Sequence, residues 1–185
     1  HDKVTVLKKP PLSLAQWYKP QNKRQVWLHT MFKLRREMLA VEIYASTGDS
    51  ENLQKWAGKL DKDYQKISEM VPEWQNHLNL DAIEETQKSA QESRFEDVSP
   101  ALKNLGESCK TCHTDYRAVT AAMYRAPDFL GMDIDASTSL NAHMQTLSKQ
   151  VNQIKIAFVD ERHDDALSAF SDLSEGMNTL GDTCI

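Results

Sequence analysis

A chain of 185 residues is long enough to bury a core and suits one domain, or one domain with an appendage. Only 6 Pro and 6 Gly, amid plentiful Ala, Leu, Lys, Glu and Gln, give the composition of a helical protein. A formal net charge of −5, with no basic run, argues against a nucleic-acid surface, and no stretch approaches the roughly eighteen apolar residues of a membrane span. No signal peptide is present, and a start at His1 rather than Met leads us to expect a mature, exported form.

Residues 1–21 carry Pro10, Pro11 and Pro20 without a sustained period and read as an extended N-terminal segment. A first helix is expected over 22–46, where Trp27, Met31, Leu34, Met38, Val41 and Ala45 are spaced 4, 3, 4, 3, 4. Thr47-Gly48-Asp49-Ser50 should end it and cap a second over 51–70, with Leu53, Trp56 or Ala57, Leu60, Tyr64, Ile67 and Val71 inward. Pro72 stops that helix. Leu80, Ile83 and Ala90 suggest a shorter third helix from about Asp81.

The fourth helix places Leu102, Leu105, Cys109, Cys112, Tyr116, Val119 and Met123 on one seam, so the thiols are expected to point inward. Ala126-Pro127-Asp128 opens a linker over 126–136, and 137–185 should form a helical hairpin. In its first helix Leu140, Met144, Leu147, Val151, Ile154 and Phe158 repeat the 4, 3 spacing. Ala166, Phe170, Leu173, Met177, Leu180 and Cys184 do so in its second. No segment alternates like a strand, so the fold class is all-α.

The chemistry sits in Cys109-Lys110-Thr111-Cys112-His113. Two thiols three residues apart share one helix face, and a histidine directly after them can turn toward what they hold. This spacing attaches a c-type haem: each thiol adds to one vinyl group and the histidine becomes an axial iron ligand. A dithiol redox pair or half of a zinc site would share the cysteine spacing. The first belongs near a βαβ pattern and the second needs another ligand pair, neither of which is evident. Gly106, one turn before Cys109, suits a flat ring approaching the backbone, or is incidental.

Setting Cys184 against Cys109 aligns Phe170 with Phe95, Leu173 with Val98, Met177 with Leu102, Leu180 with Leu105 and Gly181 with Gly106. The hairpin therefore reads as the start of a second haem-binding unit, with Cys184 opening a second attachment motif; a lone core cysteine is the alternative. Other histidines, His77, His143 and His163, share no ligand spacing. No nucleophile–base–acid set stands out, and no enzymatic activity is expected.

Leu105-Gly106-Glu107-Ser108-Cys109-Lys110-Thr111-Cys112-His113-Thr114-Asp115-Tyr116-Arg117, with Lys23-Arg24-Gln25, resembles the cytochrome c prime family, the class II c-type cytochromes, over residues 22–125. The resemblance implies an antiparallel four-helix bundle with haem c near one end and His113 as proximal ligand. It also puts Arg24 and Arg117 near the propionates, where surface ion pairs are the alternative. It further implies a periplasmic protein that passes single electrons between protein partners, with a homodimer possible. The family's distal position lies on helix one: a methionine there favours electron transfer, a leucine or similar blocker favours gas binding. Registering Arg24 selects Leu28, the seam selects Met31, and His29 would give bis-histidine ligation. Met31 is the expected ligand for the first haem and Met144 for a second. The hairpin over 137–185 departs from the single family domain.

Overall fold

The computed structural model describes residues 7–125 and 131–183, and every regular element among them is helical. The helices are α1 (Val26–Thr47), α2 (Ser50–Met70), α3 (Leu80–Gln91), α4 (Phe95–Tyr124), α5 (Leu140–Val159) and α6 (His163–Thr183), with 3-10 helices over Leu12–Trp17 and Pro72–His77. Backbone contacts divide the chain into one compact unit over residues 1–127 and another over 128–185. No helix among the described residues is long and apolar enough to cross a membrane.

Helix ends follow local chemistry. Gly48, at φ 70°, closes α1 by donating to the carbonyls of Tyr44 and Ala45. One residue later the Asp49 carboxylate accepts from the Asn52 N–H at 3.1 Å and opens α2. Asn79 and Ser139 cap α3 and α5 in the same way. In the first unit α1, α2, α3 and α4 each pack on the next, and α4 packs back on α1.

The buried face of α1 is not the expected seam. Trp27, Thr30, Leu34, Glu37, Ala40, Val41 and Tyr44 are buried, leaving Met31, Met38 and Ala45 half-buried. Thr30 turns inward because its hydroxyl donates to the Val26 carbonyl within its own helix at 2.9 Å, which removes the cost of burying it. On α4 the expected seam holds through Leu102 and Leu105. Beyond them Thr120 is buried, Val119 is half-buried and Met123 is exposed.

The N-terminal segment is not extended. Its 3-10 helix buries Leu14 and, just beyond, Tyr18, which stacks on Tyr124 at 4.8 Å between centroids. The Trp17 indole donates to the Met70 carbonyl at 2.9 Å, and Lys8 pairs with Asp115 of α4 at 2.8 Å.

In the second unit α5 packs on α6 across Gly176. A Cβ there would lie 2.5 Å from Leu147 Cδ2, and the Gly176 carbonyl is 2.8 Å from His143 Nε2. Met144, Val151, Phe158, Phe170 and Met177, assigned to the apolar seams, are exposed instead.

Candidate haem-attachment site

Cys109 and Cys112 are free thiols on the middle of α4, each half-buried rather than fully turned into the core. Burial pushes both pKa values up, Cys112 to about 11 with the charges of Cys109 and Asp115 adding to it; at Cys109 a hydrogen bond from Ser108 opposes the rise. Both are therefore protonated at neutral pH. A reactive redox dithiol needs the opposite shift, toward an easily formed thiolate.

Helix α2 reaches this stretch through Tyr64. Its buried hydroxyl lies 3.0 Å from the Ser108 hydroxyl, one residue before Cys109, and accepts from the Asn79 N–H at 2.8 Å. Burial raises the Tyr64 pKa, so the phenol stays neutral and serves as a fixed strut between α2, the start of α3 and α4.

His113 is exposed, yet the protein around its ring, with the Arg117 guanidinium second, holds its pKa below the ordinary imidazole value. The neutral ring, the form that binds iron, is favoured over a wider pH range. Arg117 thus lies near His113, while Arg24 is exposed just ahead of α1.

Beside the motif lies an aromatic cluster. Leu14, Tyr18, Trp27, Met70, Val71 and Trp74 form its buried centre, and Leu28, Met31 and Tyr116 pack against it partly buried. Trp74 lies 5.2 Å from Trp27 and 5.0 Å from Tyr116, whose ring also meets His77 edge-on at 5.6 Å. The Trp74 Nε1–H is buried without a partner, an unused donor in this wall.

Tyr116 is one turn beyond His113, and Leu28 and Met31 pack against the same cluster as Tyr116. His29 is exposed and meets Phe32 edge-on at 6.3 Å. Met144 is exposed in the second unit, and Cys184 lies outside the described residues.

The chain matches no known protein family, no curated protein and no solved structure. The site therefore has to be read from its own chemistry. Among the described residues no group of three or more His, Cys, Asp or Glu is placed to hold a metal ion by itself. Gly106 has room for a methyl group, whose nearest neighbour would be Met38 Cε at 3.8 Å, an ordinary contact.

The sequence singled out the thiols and His113 but gave no sign of Tyr64 as a strut, Trp74 as an open donor or the Lys8–Asp115 tie. Trp74 and His77 had a usable signal. Both follow Pro72, where an aromatic residue in a short break between helices has only the bundle end to pack against.

Proposed function

We propose that this chain is a c-type cytochrome carrying one haem on Cys109 and Cys112, with His113 as proximal ligand, and that it passes single electrons between protein partners. The supporting observation is two protonated, half-buried thiols and a neutral-favouring histidine one turn before Tyr116, which packs on the same aromatic cluster as Leu28 and Met31. In this reading α1 to α4 are the four-helix bundle of the cytochrome c prime type, and the protein is periplasmic, where this attachment takes place.

The residues present suit such a group. Two thiols on one helix face can each form a thioether, and the flanking rings offer a flat apolar wall. Trp74 Nε1–H is a buried donor for an anionic edge. A bound haem would supply a one-electron iron couple. The protein's share is to hold and orient it: Tyr64 and Ser108 brace α4 against α2, while Trp27, Trp74 and Tyr116 exclude water. Arg117, next to His113, would supply positive charge to the propionates of a bound haem, and Arg24 is proposed for the same role from just ahead of α1.

Met31 is the assigned sixth ligand, and the holoprotein's spectrum tests it. The wild type should be low-spin in both oxidation states. Met31→Ala should open the sixth position, give a high-spin spectrum and admit carbon monoxide, whereas Leu28→Ala should leave the low-spin spectrum in place. Leu28 packs on the same cluster, and that favours a second reading, a five-coordinate gas-binding haem. A wild type that is already high-spin, with gas affinity altered by Leu28→Ala, would replace the electron-transfer reading with that one.

A further inference from the structure

Residues 8–18 lie across one end of the first unit as a strap. Pro10, Leu14 and Tyr18, four residues apart, are buried on its inner side, while Leu12 on its outer side is 88 % exposed. Lys8 pairs with Asp115 of α4 at 2.8 Å, and the Ser13 hydroxyl donates to Glu73 at 2.7 Å. The Trp17 indole donates to the Met70 carbonyl at the end of α2, and Tyr18 stacks on Tyr124 of α4. Each of these ties runs through a side chain, whereas the strap's own backbone bonds, from Leu14 to Pro11 and from Tyr18 to Ala15, close within it. Helices α1, α2 and α4 are each held along 21 to 30 residues. The strap is held by a few buried side chains and two exposed polar pairs, the kind of contact that contributes least. Between it and α1, residues 19–21, 23 and 24 are exposed, a stretch about which it can swing. A segment so held opens at lower cost than the helices beneath it.

The strap reaches the candidate site at two points. Asp115, the partner of Lys8, stands close enough to Cys112 for its charge to act on the thiol. Leu14 and Tyr18 belong to the buried cluster that holds Trp27 and Trp74, and Tyr116 packs on that cluster. Tyr116 shares a face of α4 with Cys109 and Cys112, which stand seven and four residues before it. We propose that residues 8–18 are a gate on this site: they lift as a unit while α1 to α4 stay folded, and lifting uncovers the aromatic cluster and the thiol pair together. In the cytochrome reading this opening admits haem to the thiols, a role that rests on that reading. The opening itself does not.

Hydrogen exchange and thiol reaction of the haem-free full chain test the gate. The reporters are the Trp17 indole N–H, which the strap carries, the buried and unpartnered Trp74 indole N–H, and the backbone N–H of Leu60 within α2. We expect the two indole protons to exchange together and well ahead of Leu60. Tyr18→Ala removes the stack on Tyr124. It should speed Trp74 exchange, and the reaction of both thiols with a neutral disulfide reagent, about tenfold while Leu60 is unchanged. Because that variant could loosen the whole unit, Lys8→Gln alters only an exposed position and should speed Trp74 exchange about twofold. Leu60 exchange that rises in step with Trp74 would show global unfolding and overturn the gate. So would Trp74 exchange that ignores both variants. Thiols that keep their rate while Trp74 responds would put the strap over the cluster alone and refute a gate on the site. Opening as expected in a chain that takes up no haem would support the gate and count against the cytochrome reading.

Discussion

Glu37 is the residue whose state the surrounding chemistry dictates most strongly. It is 4 % exposed between α1 and α2, one carboxyl oxygen has no partner, and burial raises its pKa to about 9, with the neighbouring Asp63 adding and Lys33 and Lys59 opposing. Asp63 moves the other way and stays ionised, accepting from Glu37 and from Lys66. The pair therefore shares a single proton, held on Glu37. An acid whose folded pKa lies above its unfolded value keeps a proton that the unfolded chain releases, so its contribution is fully present below about pH 4.5 and is lost as the pH rises toward 9. Stability of the first unit should fall by on the order of a few kcal/mol across that window. Glu37→Gln, which keeps the shape and removes the proton, should flatten the slope. Urea titrations at pH 5, 7 and 9 would check it, and equal slopes in wild type and variant would show that Glu37 is not the titrating group. Nothing in the sequence announced this. A glutamate between two apolar turns reads as a solvated position, and only the Asp63 that α2 brings across makes burial tolerable.

At the scale of the helices, the sequence was most informative about ends and least about faces. Gly48, Asp49, Pro72 and the Ser139 cap act through bonds within a few residues, so the end of α1, both ends of α2 and the start of α5 fall close to where the pattern put them, while α1 begins at Val26, a turn later than expected. Faces depend on partners. The spacing in α5 and α6 matches that in α1 and α2, yet half of the hairpin's apolar row is exposed because α5 and α6 pack chiefly on each other, whereas α1 and α2 each pack on several elements. Glycine shows the same limit. Gly106 and Gly181 stood out by their recurrence, but the glycine that the packing requires is Gly176, where α5 and α6 nearly touch. Gly106→Ala and Gly181→Ala should each stabilise the haem-free chain by up to about 1 kcal/mol, through helix propensity alone. Gly176→Ala should lower the melting temperature of the hairpin, because Leu147 would have to leave its buried rotamer. A hairpin melting higher with alanine at 176 would contradict that packing.

At the scale of the whole molecule, the all-helical class and the thiol–histidine motif were legible because each is local: one in composition and period, the other in five consecutive residues. The wall beside the motif was not. Trp74 meets Tyr116, Tyr18 meets Tyr124, Trp17 reaches Met70 and Lys8 reaches Asp115 across 42 to 107 positions, through contacts that no local period encodes. Those contacts set an aromatic cluster beside the motif, and the proposed covalent haem at Cys109 and Cys112 is the claim on which the functional account rests. The mass of the denatured protein, purified after export from a cell that attaches haem c, tests it most directly. The account predicts a chain heavier by one haem that resists acid–acetone extraction, reduced to at most one thioether by either Cys109→Ala or Cys112→Ala and abolished by the two together. A chain at its polypeptide mass with both thiols titratable, produced where a known c-type cytochrome is loaded normally, would contradict it.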